Sequence, residues 1–262
     1  MKNQYFGDIN DYRKYGLLRA LQSSGDGSLL VAWMLTPDDG GRDGGFRSYL
    51  DAPETWANHD PDLFAGLAGL LRSEPMPAVS LIEGSGLLPR ACYHSAVVPD
   101  GRRERDAWRH DLLRAACRVD LVFVDPDNGI EVSSKPVGRM GSSKYVTWGE
   151  IEALWEAGCS VLIYQHFRRE SRQGFTERLA ADLRSRTGAR FVVAFRTPRV
   201  LFLLAAQDRH ARRFGGAVPL LSGRWNDQIK AVELANTCMA PRRQGQTSSG
   251  HGPIGVDDVA AA

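Results

Sequence analysis

Apolar positions along this chain follow two patterns. Residues 29–35, 121–125 and 159–164 form short runs with little or no polar alternation. A run of that kind marks a strand covered on both faces, the habit of parallel strands in α/β sheets. Between these runs the apolar positions recur at helical spacing. Tyr12, Tyr15, Leu17, Leu18 and Leu21 follow a cap at Asn10 or Asp11, and Leu63, Leu67, Leu70 and Leu71 fall within a peripheral helical stretch, 46–75. Trp108, Leu112, Leu113 and Ala116 share one face of a helix over 102–118, and another helix covers 174–186. Thr147 with Glu150 three positions on is a capping box, opening a helix that Gly158 closes. Residues 78–82 read as a short strand ending at Glu83, residues 90–98 as another, and 225–234 as a short helix. Residues 190–195 and 200–205 read as a final antiparallel pair turned at 196–199.

Strands alternating with helices predict an α/β domain over 1–235, with a doubly wound, mostly parallel sheet, a C-terminal antiparallel hairpin and a helical insertion around 46–75. From 236 to 262 the chain turns to Pro, Arg, Gln, Ser and Gly and reads as a disordered tail. Composition narrows the class. Lys and Arg number 33 against 31 Asp and Glu, a formal charge of +2, so the total charge does not call for nucleic acid. Arginine is clustered, however, at Arg102, Arg103, Arg105 and Arg109, at Arg168, Arg169 and Arg172, and at Arg196 and Arg199. Such patches suit phosphates or an ordinary solvated surface equally well. The four cysteines show no C-x-x-C spacing, which argues against structural zinc or a disulfide framework and for a reducing, cytoplasmic setting. The N-terminal residues carry no apolar leader, and no run is long enough for a membrane span, so no membrane partner is expected.

Candidate chemistry sits where the buried runs end. The second run closes on Asp125-Pro126-Asp127-Asn128-Gly129. The first closes on a loop holding Asp38, Asp39, Gly40, Gly41, Asp43, Gly44 and Gly45, which is neither a G-x-G-x-x-G fingerprint nor a P-loop. The third closes on Gln165, His166 and Arg168, and the 78–82 run on Glu83. In an open α/β sheet ligands bind beyond the carboxyl ends of the strands, so these groups are expected to share one cleft. Two ligands fit such a set: a nucleoside, whose ribose hydroxyls an acid would accept, or a divalent cation such as Mg²⁺ held by the carboxylates with His166 as base.

One further pattern narrows the choice. Phe6-Gly7-Asp8-Ile9-Asn10-Asp11-Tyr12-Arg13-Lys14 precedes the first run, Ser80-Leu81-Ile82-Glu83 stands between the first and second, and Val122-Phe123-Val124-Asp125-Pro126-Asp127 forms the second. In this order the chain resembles the adenine-N6 ribosomal RNA methyltransferases, over roughly residues 5 to 205. The resemblance implies a Rossmann-like methyltransferase fold and S-adenosylmethionine as cofactor. It implies that Lys14 contacts cofactor or substrate, that Asp38 or Asp39 with Gly40 meets the methionine end, that Glu83 takes the ribose and that Asp125 takes the target amine. The chain departs from that family's Asp-Pro-Pro-Tyr at Asp127 and Asn128. Tyr145 or Phe167 would then have to supply the stacking aromatic. The expectation is a methyltransferase-like protein acting on a nucleobase, with Asp125, Asp127, Asn128 and His166 as catalytic candidates. Its alternatives are a metal-dependent nuclease or phosphohydrolase using Asp125 and Asp127, and a non-catalytic binding protein that keeps the cleft.

Overall fold

A computed structural model describes residues 1–233, apart from Ser24, Arg42, Asp43, Pro75 and Asn226. In chain order its elements are α1 (Ile9–Ser23), β1 (Leu29–Ala32), α2 (Pro53–Trp56), α3 (Pro61–Ser73), α4 (Ser80–Ser85), β2 (Ala91–His94), α5 (Arg102–Ala115) and β3 (Leu121–Val124). There follow β4 (Gly129–Ile130), β5 (Tyr145–Val146), α6 (Trp148–Glu156), β6 (Ser160–His166), α7 (Arg172–Thr187), β7 (Phe191–Arg196), β8 (Val200–Ala206), α8 (Asp208–Arg224) and β9 (Lys230–Glu233). Seven strands form one sheet in the order β2-β1-β3-β6-β8-β7-β9, and β4 pairs with β5 in a separate two-residue ladder.

The sheet is mixed but mostly parallel in direction. β2, β1, β3 and β6 run parallel, β8 runs against both β6 and β7, and β9 runs against β7. The unbroken apolar runs follow from cover on both faces. Successive side chains on a strand point to opposite faces. Leu29, Val31 and Trp33 accordingly enter one core with Phe123, Leu162 and Phe202, under α1, α3 and α8. Leu30, Ala32 and Met34 enter the other with Val122, Val124 and Ile163, under α5, α6 and α7. The Thr147 capping box is formed, and Arg105 of α5 reaches across to Glu150 at 2.5 and 2.8 Å, fastening two helices of that second layer.

Three elements differ from the sequence reading. Residues 78–82 do not extend the sheet. Their buried positions, Val79 and Ile82, are three apart rather than two, and the segment winds into α4, ended by Gly86 in the left-handed region. The strand beside β1 is instead Ala91–His94. The β7/β8 pair is not the end of the fold. His210, Phe214, Ala217 and Leu221 make the buried stripe of α8, a helix whose pattern Pro219 and three glycines obscured, and β9 follows where a helix over 225–234 was expected. The cap of α1 is Asp8, whose Oδ1 accepts from the backbone N–H of Asn10 at 2.7 Å and of Asp11 at 2.9 Å. The tail expected over 236–262 lies outside the described residues.

Gly16 of α1 is required by close approach. A Cβ there would lie 2.2 Å from the indole of Trp225, just past the end of α8. Alanine is the better helix former, so an exposed site would gain about 1 kcal/mol. Here Gly16→Ala is expected to destabilise the fold by about 1–3 kcal/mol in urea titration, because the overpacked indole has to shift.

Candidate functional site

The sheet ends its parallel strands on one edge, and there the chain opens a cleft of about 410 Å³, within the range of small-molecule sites. β3 stops at this edge because Pro126 has no N–H to continue the ladder. Asp125 still donates its own N–H to Ala32 O at 3.0 Å, and the next residues turn across the end of the sheet. Gly129 completes the turn at φ 118°, where a Cβ would lie 2.4 Å from the Gln165 side chain, so the Asp127-Asn128 corner depends on that glycine.

At the floor of the cleft Lys14 is fully buried. Its Nζ donates to Asp125 Oδ2 at 2.6 Å and to Asp11 Oδ1 at 2.7 Å. The rings of Trp33, Tyr164 and Tyr15 surround it at 5.6–5.8 Å from their centroids. Burial opposes the charge on Lys14, but Asp11 and Asp125 outweigh it and hold its pKa above the ordinary lysine value. Burial pushes the Asp125 carboxyl up, against the pull of Lys14 and the Met1 ammonium. That ammonium donates to Asp125 O at 3.0 Å and Met34 O at 3.2 Å, and lies 2.6 Å from Asp127 Oδ1. Thr36 Oγ1 donates to the other Asp127 oxygen at 2.6 Å.

The structure thus brings together Lys14, Asp39, Asp125, Asp127, Asn128 and His166, all of which line the cleft. Asp39 is fastened there by an ion pair with Lys2. His166 belongs to β6 itself, its Nε2 3.1 Å from the Tyr164 hydroxyl. Partial burial of the ring lowers its pKa from the ordinary histidine value, against the pull of Asp127. Asp38 accepts from Gln4 N at 3.3 Å at the margin, Gly40 does not line the cleft, and Asp43 lies outside the described residues. Glu83 is not part of it: carried on α4, it accepts from Trp33 Nε1 at 2.7 Å and Ser95 Oγ at 2.5 Å. Tyr145 and Phe167 do not line it either. Phe167 packs against the second core.

Asp8 and Asp11 were not singled out as site residues, although the spacing Asp8, Asp11, Lys14 places all three on one helical face. Asp8 is buried in the cleft wall, and burial together with the charge of Asp11 raises its carboxyl to about 7. Among the described residues no group of three or more His, Cys, Asp and Glu is arranged to hold a metal ion. Asp125 Oδ2 and both Asp127 oxygens turn to the protein's own cations and to Thr36.

A second polar cluster lies at the opposite, amino end of β6. Ser160 Oγ is 2.9 Å from His210 Nδ1, and His210 Nε2 is 3.0 Å from Asp120. The residue types suggest a nucleophilic triad, but Ser160 is fully buried and its Oγ accepts from Gln207 N at 3.0 Å. The cluster ties the start of α8 to the sheet.

No family model matches the chain, and no curated protein matches it. Among solved structures, a Legionella pneumophila protein of the DUF519 family is similar at 10% identity and a TM-score of 0.46, over 89% of this chain and 98% of that one. Fold and site together define an α/β protein with a mixed seven-stranded sheet and a charged cleft at its carboxyl edge. No helix among the described residues is long and apolar enough to cross a membrane.

The Asp8 shift has a measurable sign. Its folded pKa lies above the unfolded value of 3.8, so its contribution to stability is complete below pH 3.8 and is lost as pH rises to about 7. Asp8→Asn keeps the cap and removes the charge. The variant is expected to exceed wild type by roughly 1–3 kcal/mol at pH 8, with the difference vanishing toward pH 4, in urea titrations across that range.

Proposed function

We propose that this chain is a methyltransferase-like protein whose cleft takes S-adenosylmethionine and receives the amine of a nucleobase. The observation that carries the reading is the charge at the end of β3. Asp8, Asp11, Asp125 and Asp127 are buried there beside Lys14 and the Met1 ammonium, while the third buried cation of the cleft, Lys2, is taken by Asp39. Buried carboxylates in excess favour a cationic ligand, because each unpaired charge in a low-dielectric wall gains by a partner. S-adenosylmethionine brings a sulfonium and an ammonium. The cofactor would supply the methyl group.

The chain's own groups then have distinct tasks. Lys14 fixes Asp125 by its Oδ2, while Oδ1 accepts no hydrogen bond from the described residues and is the acceptor assigned to the target amine. Asp127 sits behind the floor on Thr36 and the Met1 ammonium, a supporting rather than a reacting position. His166 stands at the edge of the cleft, able to take a proton. The convergence of Lys14 with Asp125 also favours this reading, since the resemblance rests on both segments. So does the reversed strand beside β6, a common feature of class I methyltransferase sheets. Glu83 has no part in this site, and the ribose is left to other groups.

Calorimetric titration with S-adenosylmethionine is expected to give micromolar binding. Asp125→Asn and, as a variant that keeps the buried Lys14 contacts, Asp8→Asn should each weaken it about tenfold or more, the equivalent of about 1.4 kcal/mol. Glu83→Gln, which preserves the acceptor for Trp33, should leave it unchanged. Absence of binding at millimolar cofactor would remove the proposal.

A further inference from the structure

We infer that Phe46 and Arg199 form a stacking platform for a nucleobase at the mouth of the cleft, taking the place of the aromatic that Asn128 replaces. The inference rests on the reading of the cleft as a nucleobase site and names the residues that would grip the ring. Phe46 is 49% exposed, the one aromatic among the large hydrophobic side chains left open to solvent in the described residues. It lines the cleft. Its position is built: Phe46 O accepts from Ile9 N at 3.0 Å, and the neighbouring Arg47 donates to Phe6 O at 2.9 Å. The ring is therefore held out from the start of α1.

Over that ring lies the guanidinium of Arg199, 4.3 Å from its centroid. Arg199 comes from the β7–β8 turn, which Thr197 pins by accepting on Oγ1 from Arg199 N at 3.2 Å and Val200 N at 2.9 Å. Arg199 has no ion pair among the described residues and also lines the cleft. Two flat π-surfaces from distant parts of the chain thus meet at one opening. Bases of nucleotides and single-stranded nucleic acids stack on such aromatic and guanidinium planes. The polar edge needed to hold a base is close by in the same cleft. The Asn128 amide, a donor and an acceptor, makes no side-chain hydrogen bond among the described residues, and the Lys144 ammonium has no carboxylate partner there.

The test uses the full chain titrated with adenosine monophosphate and with a short labelled oligoadenylate, in wild type, Phe46→Ala, Phe46→Leu, Phe46→Trp and Arg199→Ala. Binding is expected to fall about ten- to a hundredfold in Phe46→Ala and in Phe46→Leu, which keeps apolar bulk without a ring, and to survive in Phe46→Trp. Binding of both ligands points to the base itself as the determinant, and binding of the oligomer alone to a polynucleotide substrate. Either supports the platform if it depends on Phe46. Equal affinity in wild type and Phe46→Ala, or no binding of either ligand at millimolar concentration, would overturn it. S-adenosylmethionine titrated into Phe46→Ala separates the two proposals. Cofactor binding with Phe46-independent base binding sinks the platform alone. Phe46-dependent base binding without cofactor binding sinks the methyltransferase reading alone.

Discussion

The buried ammonium of Lys14 organises the carboxyl edge of this protein. It joins α1, through Asp11, to the end of β3, through Asp125, across 111 positions of sequence. An unpaired lysine in that place would have to shed its proton, and either aspartate alone would have to take one up. Together they pair their charges in a nest of aromatic rings. Removing one member of such a group commonly costs 3–5 kcal/mol, because the charges left behind have no water to turn to. The contact therefore holds α1 against the sheet edge and at the same time sets the chemistry of the cleft.

Around this pair the acids outnumber the cations, and the strain of that imbalance falls on Asp8. Its hydrogen bonds from Asn10 and Asp11 do not offset burial and the charge of Asp11, and it shifts toward neutrality. The mouth has a different character. Arg199, Lys144 and Phe46 present cations and a ring. An acidic floor beneath a basic, aromatic rim gives the cleft a direction, from carboxylates inside to cations at the mouth.

Much of the architecture was legible in the chain because two-sided burial writes an unmistakable pattern. The runs that became β1, β3 and β6 and the Thr147–Glu150 cap needed no tertiary information. The segment at 78–82 failed because four apolar residues around Ser80 carry no decisive period, and only the competing strand Ala91–His94 settles which one joins β1. α8 failed because Pro219 and its glycines hid a regular buried stripe. In the cleft, Asp125, Asp127, Asn128 and His166 were legible as strand-end groups. The use made of them was not: that Asp125 would face Lys14, that Glu83 would serve Trp33, and that Phe46 would project from a loop into the cleft all depend on distances no local pattern encodes.

The account stands on the coupling between Lys14 and Asp125, which a double-mutant cycle measures directly. Lys14→Met, Asp125→Asn and the double variant, compared with wild type in urea titrations at pH 7, isolate that energy from the separate costs of each change. The account predicts a favourable coupling of about 1.5–3 kcal/mol, the range for contacting members of one buried network. Additive effects, with coupling below about 0.5 kcal/mol, would contradict it.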